Sequence, residues 1–93
     1  DVKYFPLNQK IVLDNKVIKL GIIHNTIISM CLLYLKDGVN KFALYEKLWP
    51  EDKDVYMNKL DTHLTNLKNK IKQGLLKEIK FLTKNSNLYL VSN

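Results

Sequence analysis

Between Val55 and Gln73 the apolar residues Leu60, Leu64, Leu67 and Ile71 recur at steps of four, three and four, one narrow stripe of an α-helix. At about 100° per residue the opposite face carries Asn58, Thr62, Thr65, Asn66, Asn69 and Gln73. Lys59 and Lys70 border that face on one side, Lys68 and Lys72 on the other, and Asp61 is the one acid on this helix. A surface helix without a task mixes Glu and Lys at i, i+4 spacing. Amides and hydroxyls bordered by lysines instead suit a nucleic-acid groove. Asn and Gln bond adenine N6 and N7 as a pair, and Thr offers a hydroxyl together with a methyl that fits the thymine methyl. Lysines on the borders reach phosphates, which set affinity and register. Asn and Thr each cost a few tenths of a kcal/mol in a helix. Codon bias explains their number better than their confinement to one face.

Other chemistries find little support. His24 and His63 are the two histidines and Cys31 the one cysteine, too few for a zinc site. Asp61 and His63 stand two apart and do not face each other on a helix. Three glycines form no phosphate-cradling loop, and no Ser/His/Asp or Cys/His set has a supporting motif. The expectation is a non-enzyme without metal or cofactor.

The whole chain fits this picture. Its 93 residues predict one domain, and 46% hydrophobic residues can fill a core. A single cysteine makes no intramolecular disulfide. The most apolar stretch, 21–35, is too short to span a bilayer, and no signal peptide is evident, so the expected location is cytoplasmic, with no membrane partner. The net charge is +6, and all 15 basic residues are lysine. With ten asparagines and one alanine, this fits the codons of an AT-rich genome. Residues 1–57 carry eight lysines against seven acids, whereas residues 58–93 carry seven against two, Asp61 and Glu78. The excess charge therefore lies around and after the polar helix, which favours a polyanionic partner.

The elements that position this helix are legible in part. Lys10–Leu13 and Lys16–Leu20 alternate as strands around the turn Asp14-Asn15, and Pro6 marks an edge strand or a break. A first helix is expected from about Asn25 to Leu35. Ile27, Cys31 and Tyr34 would share one face and Ile28, Leu32 and Leu35 an adjoining one, making Cys31 a core thiol, with Asp37-Gly38 as the stop. Asn40 is a good N-cap for a second helix, about Lys41 to Trp49, with Leu44, Leu48 and Trp49 facing the core and Pro50 ending it. Gly74 would stop the third helix. Glu78–Lys84 and Leu88–Val91 read as a hairpin joined by Asn85-Ser86-Asn87. Strands, then helix, helix, longer helix and hairpin, is the order of a winged helix-turn-helix, an α+β fold with an N-terminal antiparallel sheet, three helices and a C-terminal β-hairpin wing.

Specific residues carry a family resemblance. The run 60–71, Leu-Asp-Thr-His-Leu-Thr-Asn-Leu-Lys-Asn-Lys-Ile, resembles the V-D-V-H-I-x-x-L-R-x-K-L recognition-helix signature of OmpR/PhoB-type response-regulator DNA-binding domains. The run 39–49, from Val39 to Trp49, resembles that family's V-x-S-R-x-x-L-x-x-x-V-W. The similarity spans nearly the whole chain. It departs at the first helix, where L-T-x-x-E has no clear counterpart, and at the wing, where T-V-R-G-x-G-Y is replaced by Thr83-Lys84-Asn85-Ser86-Asn87-Leu88-Tyr89.

The resemblance implies base-edge contacts from Thr62, Thr65, Asn66 and Asn69. It implies phosphate contacts from Lys41, Asn58, Lys59 and Lys68, to which Lys72 on the helix border is added. Wing contacts would come from Lys84, Asn85 and Asn87. The segment Pro50, Glu51, Asp52, Lys53, Asp54 matches a loop that touches RNA polymerase in such proteins, and His63 takes a packing role. The chain is then expected to be a single effector domain, 1–93, cut from a longer regulator with a receiver domain ahead of it. It would bind double-stranded DNA, preferably an AT-rich site, in some cases as a homodimer. The alternative is a winged-helix protein-interaction module whose lysine face is merely solvated. An acid-free wing and outer helix face favour DNA.

Overall fold

The computed structural model describes residues 2–73 and 79–92. Strands β1 (Val2–Phe5), β2 (Lys10–Leu13) and β3 (Lys16–Lys19) form an antiparallel sheet in the order β1-β2-β3. Helix α1 covers Ile22–Leu33, and a short strand β4 (Val39–Asn40) leads into α2 (Lys41–Leu48). Helix α3 runs Met57–Gln73, followed by β5 (Ile79–Lys84) and β6 (Asn87–Ser92). The second sheet has the order β4-β6-β5 and is antiparallel throughout. This is the α+β winged-helix arrangement expected above.

The core lies where the two sheets and three helices meet. Ile11, Ile27, Leu44, Leu60, Leu67 and Leu88 come from five elements and are almost wholly removed from water. The α3 stripe is buried as its spacing predicts: Leu60, Leu64, Leu67 and Ile71 all point inward. Full burial of such a side chain stabilises by about 1.5–3 kcal/mol, so these four residues fix which face α3 turns outward. Cys31 is buried, and burial pushes its thiol up to about 12, consistent with a core residue and not a nucleophile.

Several boundaries differ from expectation. Helix α1 begins at Ile22, not Asn25, with Gly21 in extended conformation as its N-cap, and it ends at Leu33, not Leu35. The Tyr34 amide closes the last turn on the Met30 carbonyl, and the Gly38 amide bonds the Tyr34 carbonyl. Tyr34 and Leu35 thus fall outside the helix, and with Leu32 they are exposed, so the apolar arc in contact with the core is narrower than the composition of 25–35 suggests. Helix α2 stops one residue early, with Trp49 as C-cap. Tyr45, not anticipated in the core, is buried there, and Leu48 and Trp49 pack against the core as expected while staying half-buried. Helix α3 starts at Met57, leaving Val55 and Tyr56 exposed.

The wing turn is two residues, not three. Asn85 and Ser86 have φ of 53° and 64°, and Asn87 belongs to β6, paired with Lys84 and Asn40. Two central residues with positive φ follow the right-handed twist of the strands, and Asn tolerates that conformation without glycine. Strand β4 was not expected; two residues are too few for a period-2 signal. The expected Gly74 stop and Glu78 strand start lie outside the described residues. Among the described residues no helix is long and apolar enough to cross a membrane.

Candidate nucleic-acid interface

Burial of the leucine stripe aims the other face of α3 outward. Asn58, Thr62, Thr65, Asn66, Asn69 and Gln73 are all exposed, and Asn58, Asp61, Thr62, Thr65 and Asn66 line one shallow surface hollow. The Thr62 hydroxyl donates to the Asn58 carbonyl one turn back at 2.8 Å, which fixes its rotamer and leaves its oxygen able to accept. Side-chain hydrogen bonds from Thr65, Asn66 or Asn69 to other described residues are absent, so these groups are free to meet an incoming partner.

The bordering cations divide into two kinds. Lys68 and Lys72 are exposed and form no ion pair among the described residues. Lys41 and Lys59, both expected at phosphates, are engaged within the molecule. Contrary to expectation the outer face is not acid-free, because Asp61 lines its hollow; Lys41 Nζ stands 2.6 Å from Asp61 Oδ1 and neutralises this one acid of α3. Lys59 Nζ stands 3.1 Å from Asp52 Oδ2 and 4.3 Å from the Trp49 ring centroid, a cation–π arrangement that turns it toward the α2–α3 loop. Lys59 therefore lies against that loop instead of standing clear at the edge of the polar face.

The α2–α3 loop is tied down at Asp52. The Tyr45 hydroxyl donates to Asp52 Oδ2 at 2.5 Å, beside Lys59. Hydrogen bonds from Tyr45 and Lys59 hold the Asp52 carboxyl below the usual carboxylate range, and burial next to that carboxylate raises the Tyr45 phenol. Pro50, Glu51, Lys53 and Asp54 are exposed, so the rest of the loop is presented on a fixed support.

Aromatic rings continue from there. Tyr45 and Trp49 have centroids 4.9 Å apart, Trp49 and His63 5.6 Å, and His63 and His24 6.0 Å in an edge-to-face pair. His63 thus packs between α2 and the start of α1, in line with the packing role implied for it. Tyr45 was overlooked in the sequence because a tyrosine beside Glu46 and Lys47 reads as surface; its i, i+4 relation to Trp49 was the available signal.

The wing stands beside this face. Lys84, Asn85 and Ser86 are exposed, whereas Asn87 is half-buried and its side-chain Nδ2 donates to the Asp37 carbonyl at 3.4 Å. The Lys41 amide donates to the Ser86 carbonyl at 2.9 Å, which fastens the wing turn to the start of α2. The Asn40 carboxamide accepts from the Phe42 and Ala43 amides, the N-cap its sequence position predicts. Among the described residues no cluster of three or more His, Cys, Asp or Glu could hold a metal ion.

No protein-family model matches the chain, and no curated protein matches it. Among solved structures the chain is similar to the C-terminal domain of the nisin resistance regulator NsrR, a lantibiotic response regulator, at 26% identity and a TM-score of 0.72. The similarity covers 96% of this chain and 89% of that one. The chain thus has the fold of a response-regulator C-terminal domain, the class that the motifs in α2 and α3 resemble.

Proposed function

We propose that this domain binds double-stranded DNA with sequence preference, as the effector part of a response-regulator type transcriptional regulator. The carrying observation is the outer face of α3, an exposed row of Asn58, Thr62, Thr65, Asn66 and Asn69 whose one acid, Asp61, is neutralised by Lys41. In this role α3 enters the major groove and Thr62, Thr65, Asn66 and Asn69 meet base edges. Asn58, Lys68 and Lys72 meet phosphates directly. Lys41 and Lys59 contribute after exchanging a carboxylate partner for a phosphate. The wing reaches the flanking backbone or minor groove through Lys84 and Asn85, and Asn87 supports the turn from the sheet.

The similarity to a response-regulator C-terminal domain supports the regulator class. An N-terminal receiver domain, a homodimer on tandem half-sites, an AT-rich operator, a cytoplasmic location and a polymerase contact through Pro50–Asp54 belong to the same proposal. No catalytic role and no cofactor are assigned.

Duplex titration tests the function. Affinity should fall steeply between about 50 and 200 mM salt, as release of several counterions requires. Asn66→Ala should cost about 1–3 kcal/mol on the best site and relax base preference. Lys68→Ala should weaken all sequences alike and lower the salt slope by about one. A flat salt response, or no duplex binding at low salt, overturns the DNA function and leaves a protein-interaction module.

A further inference from the structure

A second hollow adjoins the polar face of α3. It lies between the first turn of α1 and the middle of α3; Gly21, Ile22 and Ile23 form its apolar wall, and His24, His63, Asn66 and Lys70 its polar side. Asn66 lines both this hollow and the one on the outer face, so the two are neighbours across that residue. Lys70 Nζ stands 3.4 Å from His24 Nδ1, and the His63 ring meets the His24 ring edge to face. The first turn of α1 holds no acidic residue, and its N-cap, Gly21, supplies no side-chain bond. The charged and titratable groups acting on His24 are Lys70 and His63, both basic.

Two basic groups in contact, without a carboxylate acting on them, form a site waiting for an anion. Neutral His24 can accept from the Lys70 ammonium through Nδ1. Protonated His24 cannot, and the two cations then repel unless a third, negative group comes between them. Asn66 places the pair beside the polar face, where an anion carried by a partner on that face comes near. The anion must tolerate or seek two adjacent donors, as a phosphate oxygen does.

We propose that His24 and Lys70 form a subsite for one backbone phosphate of the duplex, filled with uptake of a proton by His24, so that DNA binding by this domain strengthens as the pH falls. This rests on the DNA-binding function proposed above and adds to it a contact from α1 and a pH response. In the free domain, burial first, then the Lys70 ammonium and the His63 ring, hold His24 below its ordinary value of 6.5 against a smaller opposing effect of a hydrogen bond to the His63 backbone, so it is largely neutral at physiological pH. A bound phosphate reverses the repulsion from Lys70 and raises the His24 value. The proton taken up on binding makes affinity depend on pH by linkage.

The test uses an AT-rich duplex of about 20 base pairs, titrated at fixed salt of about 100 mM at pH 6 and pH 8. The wild-type domain should bind about threefold or more tighter at pH 6, and His24→Gln should lose most of that difference. Lys70→Gln should weaken binding at both pH values and lower the salt slope by about one. In the wild type, the NMR titration of the His24 ring should move to higher pH when duplex is added. A pH response shared by His24→Gln and wild type, or a His24 titration that the duplex leaves unmoved, overturns the subsite while leaving DNA binding intact. Absence of duplex binding at either pH overturns both proposals, and inorganic phosphate then tests the pair alone: an unmoved His24 titration removes the anion site as well.

Discussion

Lys41 joins three elements through two of its atoms. Its Nζ meets Asp61 Oδ1 on α3 at 2.6 Å, while its backbone amide holds the Ser86 carbonyl of the wing turn. The Lys41 side chain is 16% exposed and the Asp61 side chain 48%. The pair therefore sits at the edge of water, where it orients the start of α2 more than it stabilises the fold. It also neutralises the one acid in the hollow on the outer face of α3.

Replacing Asp61 with Asn should release Lys41 toward the partner and add one unit of positive charge to the face. Stability should fall by about 1 kcal/mol or less, as urea unfolding would measure. Duplex affinity at low salt should rise, with a salt slope steeper by about one. A variant that binds duplex more weakly than wild type would show that Asp61 acts through positioning Lys41 and not through charge.

Gly38 makes a second join between helix and wing. Its φ is 78°, and a Cβ there would stand 2.7 Å from Cε1 and Cζ of the Tyr89 ring in β6. Gly38→Ala therefore combines left-handed backbone strain of about 1–2 kcal/mol with a clash against a ring. The variant should lose at least that much in urea unfolding. Gly38→Ala combined with Tyr89→Leu should recover part of the loss. No recovery would mean that the backbone conformation alone demands glycine.

Much of this architecture was legible where local period and burial agree. The α3 stripe, the Asn40 cap and the β2–β3 hairpin are local patterns, and each forms as its residues predict. The start of α1 was not legible, because the sequence there is Leu20-Gly21-Ile22-Ile23-His24. A glycine stands at the cap, and a histidine appears where an acid would mark the first turn. Strand β4 exists by virtue of β6, some fifty residues away, and no local signal reports that pairing. The polar face of α3 was readable residue by residue. The diversion of Lys59 to Asp52 and of Lys70 to His24 was not, because helical periodicity ranks positions around one helix and is blind to what the neighbouring elements bring.

Asp52 gives the fold an acid-sensitive anchor. Hydrogen bonds from Tyr45 and Lys59 lower its folded value below 3.8, so its contribution is fully present above that value and is lost as pH falls through the lowered one. The urea midpoint of the wild type should decline between about pH 5 and pH 2, and that of Asp52→Asn should decline less. Tyr45→Phe should also flatten the curve, since the larger hydrogen bond to the carboxylate is gone. Identical declines in all three proteins would place the acid sensitivity elsewhere.

His24 sets stability and binding against each other. Its folded value lies below 6.5, so between the two values the unfolded chain holds more protons than the folded domain. The stability it contributes is then fully present above 6.5 and is lost as pH falls through the folded value. The free domain should therefore unfold at lower urea at pH 5.5 than at pH 8, and His24→Gln should reduce that difference. With the duplex bound the sign reverses, because phosphate between His24 and Lys70 favours the protonated ring. The same drop in pH that loosens the free domain should tighten the complex. Melting the domain at both pH values with and without duplex measures the two opposed slopes in one experiment. A complex whose stability follows the free domain's pH dependence would show that His24 stays unprotonated on DNA.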